Sequence, residues 1–422
     1  MGGWLSAIGW QVYLAGVCFM VGGLIQALVA LNNESYVPER WHQTLFTIAV
    51  VLSSVVFNTV LAVKLPLIEG VFIGGNTFLA DSADNWLSGD LGVLLGLHLC
   101  GVFVVVIPLW VMAPRTPVDT ALFKYTNVGG WDTKGLAALI GMVTPLNVLI
   151  GYDCTVHMES SKKLTDSTAE ELHDASITLP KVIMWSVAPN ACLGLLVILT
   201  LAFCSGNIDE VLQTRTGEPF VQIFYNATGS KAASSVMVAI VIILLISCCF
   251  SEVATASRQL WSFARDKGLP ASSWLERVQP GWNIPLRAVV VSFVVVLLLS
   301  LINIGSTTAL RSISSLGAVA ILGSYLVTIG TLIWRRLFGA PLPSRRWSLD
   351  RYGLAINITA VCFVLPLFVF AFFPLTKEVD RETLNYASVM FVGVLFIALV
   401  YYVFRGRNLY VGPVALVEKD RS

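Results

Sequence analysis

The sequence predicts an all-α integral membrane protein, and three observations carry that prediction. Apolar residues fill 56% of the 422 positions and charged residues only 13%. A soluble domain carries about 25% charge, so this chain lacks the polar residues to cover a water-facing surface of its size. The apolar residues also fall in runs of about 20, the length a helix needs to cross the hydrocarbon of a bilayer. The formal net charge of +1 removes any bulk electrostatic attraction to nucleic acid.

Ten candidate spans follow in order: 4–31, 44–63, 92–113, 135–157, 180–204, 233–256, 286–304, 312–334, 353–374 and 385–404. The first starts almost at Met1 without a basic leader and outlasts a signal-peptide core. An even count puts both termini on one face. If that face is cytoplasmic it holds eighteen of the 27 lysines and arginines, the bias expected of an inner surface. The sequon Asn226-Ala-Thr228 then lies outside, where glycosylation is possible. Residues 74–90 are polar and loop-like, and 158–179 read as a short charged helix stopped by Pro180. Trp185, Trp261, Trp334, Tyr401 and Tyr402 flank spans, as interfacial aromatic belts do. The eight cysteines have no CxxC pairing and read as small packing residues; neither a metal nor another cofactor is expected.

The span at 135–157 differs from the rest. It reads GLAALIGMVTPLNVLIGYDCTVH, with Thr144, Pro145, Asn147, Gly151 and Asp153 among apolar residues. A lipid-facing helix gains nothing from these: Pro145 lacks a backbone donor, and Asp153 is costly in hydrocarbon unless paired or wetted. Broken backbone at membrane depth is tolerated where it is buried in protein or lines a water-filled cavity. The chain is expected to be uncoiled over 144–151, beside such a chamber.

Three stretches carry a family resemblance. IGYDCTVHM followed by AEELHDASITLPKVI is one, ATASRQLWSFARDKGLP at 254–270 is the second, and GWLSAIGWQ at 3–11 with NNESYVPERWH at 32–42 is the third. Together with the loop at 208–232 they resemble the amino acid–polyamine–organocation superfamily, of the fungal amino acid, GABA and choline permease type. The resemblance implies a LeuT-type fold of two inverted five-helix repeats around broken helices, in a single permease domain over 1–422. The ten spans would correspond to family helices three to twelve: 1–113 the remainder of the first repeat, 135–334 the second, 353–404 two C-terminal helices, and 405–422 a cytoplasmic tail. The first two family helices would then be lacking.

The resemblance implies secondary transport of an amino acid or related amine (GABA, choline or a polyamine) across a plasma or vacuolar membrane, with a coupling ion expected to be H+. The alternative is a transport-incompetent fragment or nutrient sensor of the same fold. The chain carries no GxxxxGKS or GxxxxGKT loop for ATP. Four histidines without HxxxxD-like spacing argue against a membrane-embedded transferase. By family position, Thr144, Pro145, Asn147, Ile150 and Gly151 are expected near substrate, through backbone groups freed by unwinding. The bland alternative is that Thr144 and Asn147 bond neighbouring helices and Pro145 only kinks. Asp153 can meet an ammonium, bind a coupling proton or cap a half-helix. His157, four residues on, shares its face and suits a gate, a relay or a structural pair. Ser247 and Ser251, one turn apart, are expected to line the site, bind an ion or simply glue helices together. Arg265 and Asp266 are expected in ion pairs at the inner mouth that bias its opening. Glu252 is expected to pair with Arg258 or Arg265, and His98 reads as a satisfied interior side chain.

Overall fold

The computed structural model describes residues 1–61, 88–125, 127–154, 156, 175–279, 284–342, 347–380 and 384–410. Its elements are helical: α1 (Gly2–Asn32), α2 (Arg40–Val56) running into a π-helical turn (Phe57–Leu61), α3 (Ser88–Met112), α4 (Lys134–Gly141), α5 (Val143–Leu149), α6 (Ala175–Cys204), α7 (Ile208–Leu212), α8 (Pro219–Thr228), α9 (Lys231–Arg265), α10 (Ser272–Leu275), α11 (Leu286–Gly305), α12 (Thr307–Phe338), α13 (Tyr352–Phe370), α14 (Ala387–Tyr401) and α15 (Arg407–Leu409). Among the described residues nine helices are long and apolar enough to cross a membrane. The tenth predicted span is the broken pair α4–α5. The insert at 74–90 lies largely, and His157 and the stretch 159–168 entirely, outside the described residues.

Helix α1 is the axis of the bundle. Two-thirds of its apolar window (67%) is buried, against 11% for α6, α13 and α14 at the rim. It packs mainly on α12, α9 and α2. Two glycines set the closest crossing: a Cβ on Gly9 would come 2.7 Å from Ile321 Cγ1, and one on Gly317 would come 3.0 Å from the Tyr13 backbone nitrogen. Small residues at such crossings let helix backbones touch, which drives association where lipid is as apolar as the side chains. The rim helices instead present large apolar side chains outward, among them Met184, Leu195, Ile198, Val389 and Phe396.

Buried polar groups in the bundle are spent between helices. Gln11 Nε2 of α1 donates to Ala256 O at 3.0 Å and Ser292 Oγ at 2.9 Å, tying α1 to α9 and α11. Asn303 Nδ2 reaches Arg40 O at 2.8 Å and Thr44 Oγ1 at 3.2 Å. Asn58, in the π-helical turn, donates to Ser54 O and to Phe250 O, both at 2.9 Å, while Phe57 stacks on Phe250 with centroids 4.2 Å apart. A π-turn leaves a carbonyl without its usual i+4 donor, and Asn58 supplies one to Ser54.

Connecting segments hold the helix ends together. Glu34 pairs with Lys231 at 2.6 Å, and Arg215 binds the carbonyls of Glu34 and Tyr36. Lys377 binds Gly129 O and the Asp132 carboxylate. Elsewhere Trp4 meets Phe263 and Tyr401. The start of α1 thus lies beside the end of α14.

Two readings of local sequence change. Pro180 does not stop a helix: α6 runs through it, at the cost of one backbone hydrogen bond. Trp261 is not an interfacial side chain either. It is 4% exposed and its indole N–H donates to Glu276 O at 2.9 Å, within a cluster formed by Leu260, Leu269, Leu275 and Ala288. Trp185, Trp334 and Tyr402 do point outward.

Candidate functional site

The site forms where the 135–157 segment stops being a helix. Thr133 Oγ1 caps α4 by accepting from Leu136 N at 3.2 Å. A single turn residue, Met142, separates α4 from α5, and α5 stays helical through Leu149. Thr144, Pro145 and Asn147 are thus in a helix, and Thr144 and Pro145 are exposed. Pro145 is tolerated because it falls in the first turn of α5, where backbone donors have no intrahelical partner. The uncoiled stretch is 150–153 rather than 144–151. Ile150 is extended (φ −75°, ψ 143°) and Gly151 takes φ +115°, a conformation that only glycine adopts without strain.

Ile150 is 9% exposed and joins the central core, so the break is turned into the bundle. What it faces is Glu252, in α9 and 2% exposed. A Cβ placed on Gly151 would lie 3.8 Å from Glu252 Oε1, and the Cys154 thiol donates to that same oxygen across 4.0 Å. The other oxygen, Oε2, is buried without a hydrogen-bond partner among the described residues. Asp153 is close enough to Glu252 to interact with it electrostatically. Its Oδ1 accepts from Tyr325 OH of α12 at 2.9 Å, and Tyr152 packs against the Tyr325 ring with centroids 5.8 Å apart. Tyr13 of α1 faces the same group of Glu252, Cys248 and Cys154. Two carboxylates and three tyrosines from four segments meet where the helix is broken.

Of the expected site residues, the structure brings Ile150, Gly151 and Asp153 into this cluster. Ser247 Oγ turns back to Ile243 O at 3.0 Å, and the Ser251 carbonyl accepts from Thr255 Oγ1 at 2.9 Å. His98 Nε2 meets Asn190 Oδ1 at 3.0 Å, so it is partnered, on a part-exposed helix face. The expected pairing of Glu252 with Arg258 or Arg265 does not occur: among the described residues no ion pair reaches Glu252. Counting about 1.5 Å per residue, Glu252 lies some 20 Å along α9 from Arg265. Arg265 instead sits 3.8 Å from Asp266 Oδ1 and over the Trp261 ring at 5.2 Å. Lys267 pairs with Glu276. Burial pushes the Asp266 carboxyl up from its ordinary range, against the opposing pull of Arg265.

Sequence reasoning missed the three tyrosines. Tyr325 is 172 residues from Asp153, and nothing local marks it. Glu252 did carry a signal: it is the one charged residue in the apolar run 233–256, and such a residue inside a span is a functional candidate by default.

A broken helix turned into an apolar bundle, with carboxylates gathered at the break, is the arrangement of a membrane transporter fold. The sequence comparisons say which. The family model described as amino acid permease matches residues 90–396. The chain belongs to the amino acid permease family of the APC superfamily. It is 27% identical to an amino-acid permease of Schizosaccharomyces pombe, over 97% of this chain and 70% of that protein. It is 26% identical to amino-acid permease BAT1 of Arabidopsis thaliana, over 98% of this chain and 77% of that one. It is 25% identical to the choline transporter of Saccharomyces cerevisiae, over 93% of this chain and 64% of the relative.

Proposed function

We propose that this permease is a secondary active transporter of amino acids or related amines, driven by a proton gradient and working by alternating access around the break at 150–153. The observation that carries the reading is the juxtaposition of freed backbone at Ile150 and Gly151 with the buried carboxylate of Glu252. A substrate that is zwitterionic or cationic needs partners for its ammonium inside the bilayer, because each unmatched polar group there costs several kcal/mol. Asp153 and the faces of Tyr13, Tyr152 and Tyr325 are such partners. A relative named as a choline transporter supports including quaternary amines among the substrates. The backbone of Ile150 and Gly151 contacts the substrate, with Thr144, Pro145 and Asn147 setting the half-helix that leads to it. Asp153 and His157 belong to the gate that moves with coupling, and Arg265 and Asp266 bias the inner mouth.

Both termini face the cytoplasm of a plasma membrane, on the basis of the lysine and arginine bias. The test is uptake of labelled choline, GABA, putrescine and L-arginine into proteoliposomes holding the folded chain, with and without an inward proton gradient. Gradient-stimulated uptake of at least one is expected. Failure of all four to enter, by protein shown monodisperse, overturns the reading.

A further inference from the structure

We propose that Glu252 is the residue that takes up and releases the coupling proton, and that opening of the break at Gly151 is what exposes it to water. This deepens the proposed function and rests on it for the word coupling; the proton-bearing role itself stands on the geometry.

Glu252 lies in the interior of a 35-residue apolar helix and is 2% exposed. An unpaired charge in such a place costs several kcal/mol even after relaxation, so a lone carboxylate there either holds a cation or carries a proton. Among the described residues these titratable groups face it. From its own helix these are Cys248 and Cys249; from α1, Tyr13; from the broken segment, Asp153 and Cys154. None of these is a cation, and Asp153 is a second carboxyl. Asp153 has its own donor in Tyr325 OH, whereas Glu252 Oε2 has none. Two neighbouring carboxylates in a water-poor site do not both stay ionised, and Glu252 is the one that no cation or donor to Oε2 balances among the described residues.

The route for the proton lies at Gly151. With no side chain at Gly151, Glu252 Oε1 lies next to the break, where a Cβ would stand 3.8 Å from it and 3.9 Å from Cys154 Sγ. When the break opens toward one face, water reaches the carboxylate and delivers a proton to Oε2, forming one O–H bond. When it closes, the neutral acid fits the apolar interior. Opening to the other face wets the group again and returns the proton to water. No other bond is made or broken, and no oxidant or reductant is needed.

The experiment has two arms. In proteoliposomes, one-proton coupling lets a gradient of one pH unit support about tenfold accumulation of the transported probe, since a factor of ten in concentration matches one pH unit. Glu252→Gln, a fixed mimic of the protonated acid, is expected to hold accumulation at about unity while still exchanging labelled for unlabelled choline, GABA, putrescine or L-arginine. Glu252→Asp is expected to retain accumulation. Full accumulation by Glu252→Gln overturns the proposal. The second arm is independent of transport: infrared spectra of the purified wild-type protein should contain a protonated carboxyl band near neutral pH that moves in Glu252→Asp. Absence of that band overturns the proposal even if uptake is robust. Its presence without uptake supports the proton-bearing role and counts against the proposed function instead.

Discussion

Gly151→Ala separates two ways in which a glycine can be required. An added Cβ would meet Glu252 Oε1 at 3.8 Å and Cys154 Sγ at 3.9 Å, ordinary van der Waals contact, so crowding costs nothing. The backbone is the obstacle, because φ is +115°. Holding a non-glycine residue in such a region costs about 1–3 kcal/mol. Stiffening of the unfolded chain returns roughly 0.4–1 kcal/mol, leaving a net loss of about 1–2 kcal/mol. Gly9→Ala is the counterpart: the backbone is helical, but the new Cβ would sit 2.7 Å from Ile321 Cγ1 and 3.1 Å from Ile321 N. Overpacking of this kind costs about 1–3 kcal/mol, and Gly9→Ala combined with Ile321→Ala, which removes Cγ1, should cost less than the two changes summed. Gly194→Ala and Gly393→Ala, both helical and with open space around them, are the controls and should be neutral or slightly stabilising. The assay is reversible unfolding in mixed micelles titrated with SDS, followed by tryptophan fluorescence. Gly151→Ala is refuted as a backbone effect if it matches the two controls, or if shortening Glu252 or Cys154 rescues it.

Further outcomes follow from other contacts. Gln11→Leu removes two interhelical hydrogen bonds from one buried amide; at about 0.6 kcal/mol each in a membrane bundle, the same titration should register a loss of about 1 kcal/mol. Tyr325→Phe deletes the donor to Asp153 and should weaken gradient-driven uptake while leaving unfolding nearly unchanged; equal losses in both would make the contact merely structural. Asp266 has a pH signature. Its folded carboxyl is raised by burial, so its contribution is fully present below the unfolded value and is lost as pH rises through the folded one. Unfolding measured from pH 3 upward should therefore show the wild type losing stability relative to Asp266→Asn across the acidic range, and a flat difference contradicts the sign.

Sequence alone was enough for the class of fold, because the physics of a bilayer is one-dimensional. A run of 20 apolar residues must be a span, and the described long helices coincide with nine of the ten runs. It was also enough to mark 135–157 as the odd segment, since Pro145, Gly151 and Asp153 sit where hydrocarbon tolerates them poorly. The position of the break within that segment was decided by turn chemistry that reading by composition blurs. Pro145 is harmless at the opening turn of α5, while Gly151 alone supplies the positive φ. Partners were beyond reach for a different reason. Membrane helices are apolar on most faces, so periodicity gives little clue to which side meets which neighbour. Only packing turned Glu252 toward Gly151 and away from Arg258 and Arg265, and only packing brought Tyr325 to Asp153 and buried Trp261 against Glu276. Length and hydropathy, local properties of the chain, were settled by the residues in order; the pairing of charges across the bundle waited on helix crossings that the close approach of Gly9 and Gly317 makes possible.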